Sequence, residues 1–231
     1  MGRNKLPVVE IFPSIQGEGP YQGRYGLFIR LGICNLRCSF CDTKYALFPS
    51  KKWKYMEPEE INKLLLTTYP DKLKHLILTG GEPMLHEKLL HEALKTLFGR
   101  IDLLEIETNG TIIPQYFHRY SFVIFNVSPK LSNSQVPYNQ RIVEESLEFY
   151  SNLSQSYFKF VVKDHKDLEE VLMFKEKFFI PSNKIFLMPL ASTKKELRRH
   201  SINVFKLAVK FGFNYSCRIQ IDIFGGKKRG V

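Results

Sequence analysis

The sequence predicts an α/β domain built on a mostly parallel sheet, on three observations. Short, nearly unbroken apolar runs such as Gly26–Leu31 and His75–Leu78 read as strands covered on both faces. They alternate with longer segments that carry leucines at helical spacing, such as His86–Phe98, which is the pattern of βα units. Polar signatures also follow the ends of several runs: Thr79-Gly80-Gly81-Glu82-Pro83, Glu107-Thr108-Asn109-Gly110 and Ser128-Pro129-Lys130. Those positions lie on the strand edge where α/β folds bind ligands.

The elements follow in order. Gly26–Leu31 is the first strand expected, and Pro58–Thr68 a helix with proline in its first turn, where the missing N–H costs nothing. His75–Leu78 is a strand, His86–Phe98 a helix, and Leu103–Glu107 and Phe122–Val127 are strands. An Asn/Ser-rich stretch, Leu131–Asn139, has no assigned role. Tyr157–Val162 and Lys184–Met188 are strands on either side of a helix over Lys166–Phe178. Thr193 with Glu196 forms a capping box for a helix running to about Lys210. Tyr215–Ile221 is the last strand expected.

At 231 residues, with no Pro/Gly/Ser-rich linker and no internal repeat, the chain is expected to form a single domain, 1–231. The net charge is +11. Its lysines are scattered, with short clusters at Lys51–Lys54, Lys194–Arg199 and Lys227–Arg229. Such a distribution gives a solvated surface and no stripe that would track a phosphate backbone. Nucleic acid is therefore not an expected partner, and loss of binding at raised salt would test the contrary. No apolar run approaches the ~20 residues that span a bilayer, and Met1–Glu10 has no signal-peptide core. A cytoplasmic protein without a membrane partner is expected.

The chemistry centres on Cys34-Asn-Leu-Arg-Cys38-Ser-Phe-Cys41, a C-x3-C-x2-C spacing. Clustered cysteines in a reducing compartment suggest metal and not disulfides. Thiolates are the usual ligands of iron–sulfur clusters, which ordinarily take four. Three on one short loop leave one iron open, as a chemically active metal requires. Structural zinc would want a fourth ligand. The loop contains no histidine, and Cys217 lies far along the chain in a strand-like run.

This spacing, with the aromatic Phe40 before the last cysteine, resembles the radical S-adenosylmethionine (SAM) superfamily. The resemblance implies an open, partial β/α barrel. It also implies a [4Fe–4S] cluster on Cys34, Cys38 and Cys41, whose open iron chelates SAM and whose electron cleaves it to a 5′-deoxyadenosyl radical. In that light Gly81 and Glu82 match the superfamily's GGE motif at the SAM methionine moiety. Thr108, Ser128, Pro129 and Lys130 match further SAM-binding loops, with Phe40 and Asp42 beside the cluster. The Lys130 ammonium suits a carboxylate.

Four further features narrow the resemblance: Glu10-Ile-Phe-Pro-Ser-Ile15-Gln16-Gly17-Glu18-Gly19, Arg30, Asp42-Thr43 directly after the last cysteine, and the ending Phe224–Val231. Together they are similar to the 7-carboxy-7-deazaguanine synthase family of 7-deazapurine (queuosine) biosynthesis. The cysteine loop has the short standard spacing, unlike the longer loops of some members. The family's substrate is 6-carboxy-5,6,7,8-tetrahydropterin and its product 7-carboxy-7-deazaguanine, with loss of ammonia. The resemblance assigns Mg²⁺ to Thr43. It assigns substrate contacts to Ile15, Gln16, Gly17, Arg30, Thr79 and the terminal carboxylate of Val231, so that segments 1–25 and 215–231 would both reach the pocket. Arg30 offers a bidentate fork for the pterin carboxylate, and carboxylates or carbonyls suit its guanidine-like edge. The resemblance also implies a homodimer and an electron donor such as flavodoxin or ferredoxin. A radical SAM activase, which installs a glycyl radical on a partner protein, shares the cysteine spacing and is the alternative.

Overall fold

A computed structural model describes residues 4–225. It has nine strands: β1 (Leu6–Ile15), β2 (Tyr25–Leu31), β3 (Lys54–Met56), β4 (His75–Gly80), β5 (Leu103–Thr108), β6 (Val123–Val127), β7 (Ser156–Val162), β8 (Ile185–Pro189) and β9 (Asn214–Tyr215). They form one sheet in the order β3-β1-β2-β4-β5-β6-β7-β8-β9. The pairs β3–β1 and β1–β2 are antiparallel, and every pair from β2–β4 to β8–β9 is parallel. β3 and β9 are the free edges, so the sheet curls without closing. The helices are α1 (Pro58–Thr68), α2 (Glu87–Leu94), α3 (Tyr138–Arg141), α4 (Glu144–Asn152), α5 (His165–Lys177), α6 (Lys194–Phe211) and α7 (Ile219–Phe224). Among the described residues no helix is long and apolar enough to cross a membrane.

Local chemistry sets the helix ends. In α1 the Glu57 N–H donates to Glu60 Oε2 at 2.7 Å, and Pro58 occupies the first turn. The Asp164 carboxylate accepts from the Asp167 N–H at the start of α5. Thr193 caps α6 as expected, accepting from the Glu196 N–H at 3.2 Å, and Gly212 ends that helix with φ +68°.

The two sheet faces differ. Leu27, Ile29, Leu76, Leu78, Leu104, Ile106, Phe125, Phe158 and Phe160 turn toward the helices and form the main core. On the opposite face β5, β6 and β7 carry Glu105, Glu107, Asn126 and Lys159, of which Glu105, Asn126 and Lys159 are fully buried. The expectation of apolar runs on both faces therefore fails for these strands: their inner positions are polar at period two.

Three expectations are corrected. β1 precedes the expected first strand and reads poorly because Pro13 sits inside it, paired with Leu27. The helix expected over His86–Phe98 is a 3₁₀ turn at Pro83–His86, then α2, then 3₁₀ turns to Arg100. The strand expected over Tyr215–Ile221 ends at Tyr215 and gives way to α7. There the chain turns toward the β1–β2 loop: Ser216 Oγ accepts from the Gly19 N–H at 2.8 Å, and the Ile219 N–H donates to Gly17 O at 3.2 Å. Those bonds replace the ladder a longer β9 would have needed.

Candidate active site

A cavity of about 620 Å³ opens at the C-terminal ends of the parallel strands, large enough for a cofactor and a small substrate. One wall is the cysteine loop between β2 and β3, with Cys34, Cys38, Phe40, Cys41, Asp42 and Thr43. The strand ends supply Arg30, Thr79, Gly81, Thr108, Ser128 and Lys130, and the floor is Ile15, Gln16, Gly17 and Glu18. Residues far apart in sequence thus meet at one cavity. Val231 lies outside the described residues.

The cysteine loop is braced from two sides. Its Ser39 N–H donates to Ser134 O at 2.9 Å, which gives the Asn/Ser-rich stretch a structural role. Asn109 on the β5 loop donates to Asn35 Oδ1 at 2.8 Å, and Asn35 donates to Thr111 Oγ1 at 2.8 Å. The Leu36 N–H points at Cys34 Sγ, 3.4 Å away. Burial pushes all three thiols up, Cys41 to about 11. Such thiols exchange their protons for a metal and stay inert without one. Among the described residues no three His, Cys, Asp or Glu side chains are gathered as ligands of a single ion. Three thiols from one loop line the cavity, and in a cubane each thiolate would bind a different iron.

Glu82 departs from expectation. It is 1% exposed and does not reach the cavity wall. Its carboxylate accepts from the Met84 N–H at 3.0 Å, Thr108 Oγ1 at 2.9 Å and the Asn109 N–H at 2.7 Å. It therefore ties the β4 loop to the β5 loop. Pro129 also lies off the wall, while Lys130 Nζ donates to Ser128 Oγ at 2.8 Å. Gly81 needs its missing side chain for packing: a Cβ there would stand 2.0 Å from Ile33 O. That close fit sets the β4 loop directly against the cysteine loop. Arg30 donates through Nε to Glu10 Oε1 at 2.7 Å, and Tyr45 donates to the same oxygen at 3.0 Å. This clamp orients Arg30 at the cavity wall.

The floor holds a buried ionic network that sequence reasoning missed. Lys159 Nζ donates to Glu18 Oε2 at 2.7 Å and to Glu107 Oε2 at 2.8 Å. Arg218 Nε donates to Glu18 Oε1 at 3.1 Å, and its other nitrogens reach Ala191 O and Asp42 Oδ2. Gln16 and Asn126 both donate to Glu107 Oε1, at 3.2 and 2.8 Å. Burial alone would raise Glu18, but Lys159 and Arg218 outweigh it and hold the carboxyl well below the usual range. Glu107 lacks the second cation: burial and the neighbouring Glu105 and Glu18 outweigh Lys159 and raise it to about 7. Burial would lower Lys159, yet its two carboxylates lift it above the usual lysine value. Gly19, with φ +73°, lets the floor loop pass over Asn126, whose Nδ2 would lie 2.3 Å from a Cβ. The signal in the sequence was the period-two placement of Glu105, Glu107, Asn126 and Lys159 within otherwise apolar strands.

Comparison with known proteins agrees with this geometry. The family model for the radical SAM superfamily matches residues 28–162. A 7-carboxy-7-deazaguanine synthase of Pyrobaculum aerophilum is 33% identical over 97% of this chain and 97% of its own. One of Hyperthermus butylicus is 34% identical over 94% of this chain and 92% of its own. The chain belongs to the 7-carboxy-7-deazaguanine synthase family of radical SAM enzymes. The crystal structure of QueE from Escherichia coli shares the fold, with a TM-score of 0.72 at 22% identity, covering 92% of this chain and 93% of that one. A [4Fe–4S] cluster and SAM are the cofactors of this superfamily, and the cysteine loop of this synthase-family chain has the donors for the cluster.

Proposed function

We propose that the protein converts 6-carboxy-5,6,7,8-tetrahydropterin to 7-carboxy-7-deazaguanine and ammonia in a Mg²⁺-dependent ring contraction. The observation that carries this reading is one cavity with the three cysteines on a wall, Arg30 beside them and a carboxylate-bearing floor below. The reaction loses one NH₃ and nothing else, so it needs no net oxidant. When bound on Cys34, Cys38 and Cys41, the cluster with SAM would supply radical chemistry, a hydrogen being removed from substrate C6 and later restored.

This chain's residues then bind and orient. Phe40, Asp42, Gly81, Thr108, Ser128 and Lys130 are assigned to SAM, next to the cysteines along the wall. Glu82 and Pro129 support that wall from behind. Arg30, oriented by Glu10, suits the pterin carboxylate. Ile15, Gln16, Gly17 and Thr79 are assigned to the pterin ring, and Val231 to its guanidine-like edge. The Thr43 hydroxyl fits Mg²⁺, which accepts few protein ligands and keeps several waters. Thr43 lines the cavity, and its hydroxyl donates to Asp42 Oδ1 with the oxygens 2.9 Å apart, which leaves the Thr43 oxygen its lone pairs to offer. A cytoplasmic homodimer fed by flavodoxin or ferredoxin completes the reading.

Anaerobic protein with a reconstituted cluster, SAM, reductant, Mg²⁺ and the pterin is expected to form the deazaguanine acid. SAM cleavage without conversion of the pterin would keep the superfamily chemistry and remove this substrate.

A further inference from the structure

Thr43 is only the nearest part of a longer construction. Asp42 Oδ1 accepts from the Thr43 hydroxyl at 2.9 Å, while Asp42 Oδ2 accepts from Arg218 Nη2. A carboxylate has no hydrogen to give, so Thr43 must be the donor. A hydroxyl that coordinates a cation through oxygen needs such an acceptor on its far side, or its hydrogen competes for the same space. The Asp42 side chain is 40% exposed and would turn freely by itself. Arg218 does not turn: its side chain is 6% exposed, and its remaining nitrogens are fixed by Glu18 and by Ala191 O. Both carboxylates keep it charged against the cost of burial.

We infer that Asp42 and Arg218 are positioning residues for Mg²⁺. Arg218 fixes the Asp42 carboxylate, Asp42 takes the Thr43 hydrogen, and the Thr43 oxygen is thereby aimed into the cavity. Neither residue touches the ion. The arrangement follows the general pattern in which a ligand's own hydrogen-bond partner sets its direction. It also joins the two halves of the site, because the guanidinium that steadies the metal-bearing turn also grips Glu18 on the floor. The inference rests on Thr43 as the Mg²⁺ ligand, and the test below separates the two.

The full-length, cluster-loaded protein is held with saturating SAM and the pterin, unreduced so that nothing turns over. It is then titrated with Mn²⁺ as the probe, read by its EPR signal, with iron content checking the cluster. Thr43→Val is expected to weaken Mn²⁺ most. Asp42→Ala should weaken it about 10- to 100-fold, and should add no further loss in a Thr43→Val background. Asp42→Asn keeps an acceptor oxygen for Thr43 and should recover part of the affinity lost in Asp42→Ala. Arg218→Gln should give a smaller loss in the same direction; because that change also strips Glu18 of a partner, the Asp42 pair carries the test. Wild-type Mn²⁺ affinity in Asp42→Ala, with Thr43→Val still defective, overturns the inference and spares the Thr43 assignment. Asp42→Asn as weak as Thr43→Val makes the carboxylate itself a ligand and also overturns it. Full affinity in Thr43→Val removes both.

Discussion

The cysteine loop and the cavity floor face one another across the same space and handle charge in opposite ways. In the loop, burial raises the three thiols, and the loop is braced by side-chain bonds of Asn35 and Asn109 and by one backbone bond to Ser134. In the floor each charged group already has its partner: Lys159 sits between Glu18 and Glu107, and Arg218 between Glu18 and Asp42. The floor is finished by folding itself. The loop is finished by metal, because its three thiols bind as thiolates only when a metal displaces their protons. Changes to the loop should therefore cost cofactor and leave the fold, and changes to the floor should cost the fold as well as the substrate.

The largest effect should come from the loop. Cys38→Ala is expected to abolish cluster binding and SAM cleavage with little change in thermal unfolding; iron and sulfide analysis with a melting curve would check it, and retained iron would break the contrast. Next is the floor. Lys159→Met leaves two buried carboxylates without their shared cation, and about 3–5 kcal/mol of stability should be lost. The pH dependence has a definite sign. Glu107 already sits at about 7 against an ordinary 4.5, so between those values the folded chain binds the more protons and this group weakens the fold as pH rises. Without Lys159 both Glu107 and Glu18 move higher, so the loss should be greater at pH 8 than at pH 6 in denaturant titrations. A loss independent of pH would mean that packing and not charge dominates at Lys159.

Smaller effects sharpen the same division. Arg30→Lys keeps the charge but loses the planar fork, and should raise the pterin KM about tenfold while kcat with saturating substrate changes less; an equal fall in kcat alone would take Arg30 out of substrate binding. Asn35→Ala removes one brace of the loop and should cost about 1 kcal/mol, seen as slower cluster reconstitution with the floor intact. A melting shift without any change in reconstitution would contradict the bracing role.

The loop was legible because its information is local. Three cysteines within eight residues announce metal wherever they fall in a fold, and the motifs after β4, β5 and β6 announced the ligand edge. The alternation of strands and helices was legible for the same reason. The floor was not. Arg218 lies 176 residues from Asp42, and Lys159 lies 141 residues from Glu18. Only the curl of the sheet brings them together, and no local pattern states that curl. Pro13 hid β1, and Ser216 and Arg218 turned an apparent strand into an anchor for the floor loop. Glu82 shows what a motif leaves out: its place after β4 was legible, but not its bonds to Thr108 and Asn109 across to β5.

The central claim is that loop and floor serve one reaction on one substrate. Single-turnover conversion of 6-carboxy-5,6,7,8-tetrahydropterin by the anaerobic, cluster-loaded protein tests it most directly, with product followed by mass and ammonia counted. The account predicts one 7-carboxy-7-deazaguanine and one ammonia per pterin consumed, with SAM regenerated. An intact cluster that cleaves SAM but leaves the pterin unchanged would contradict it.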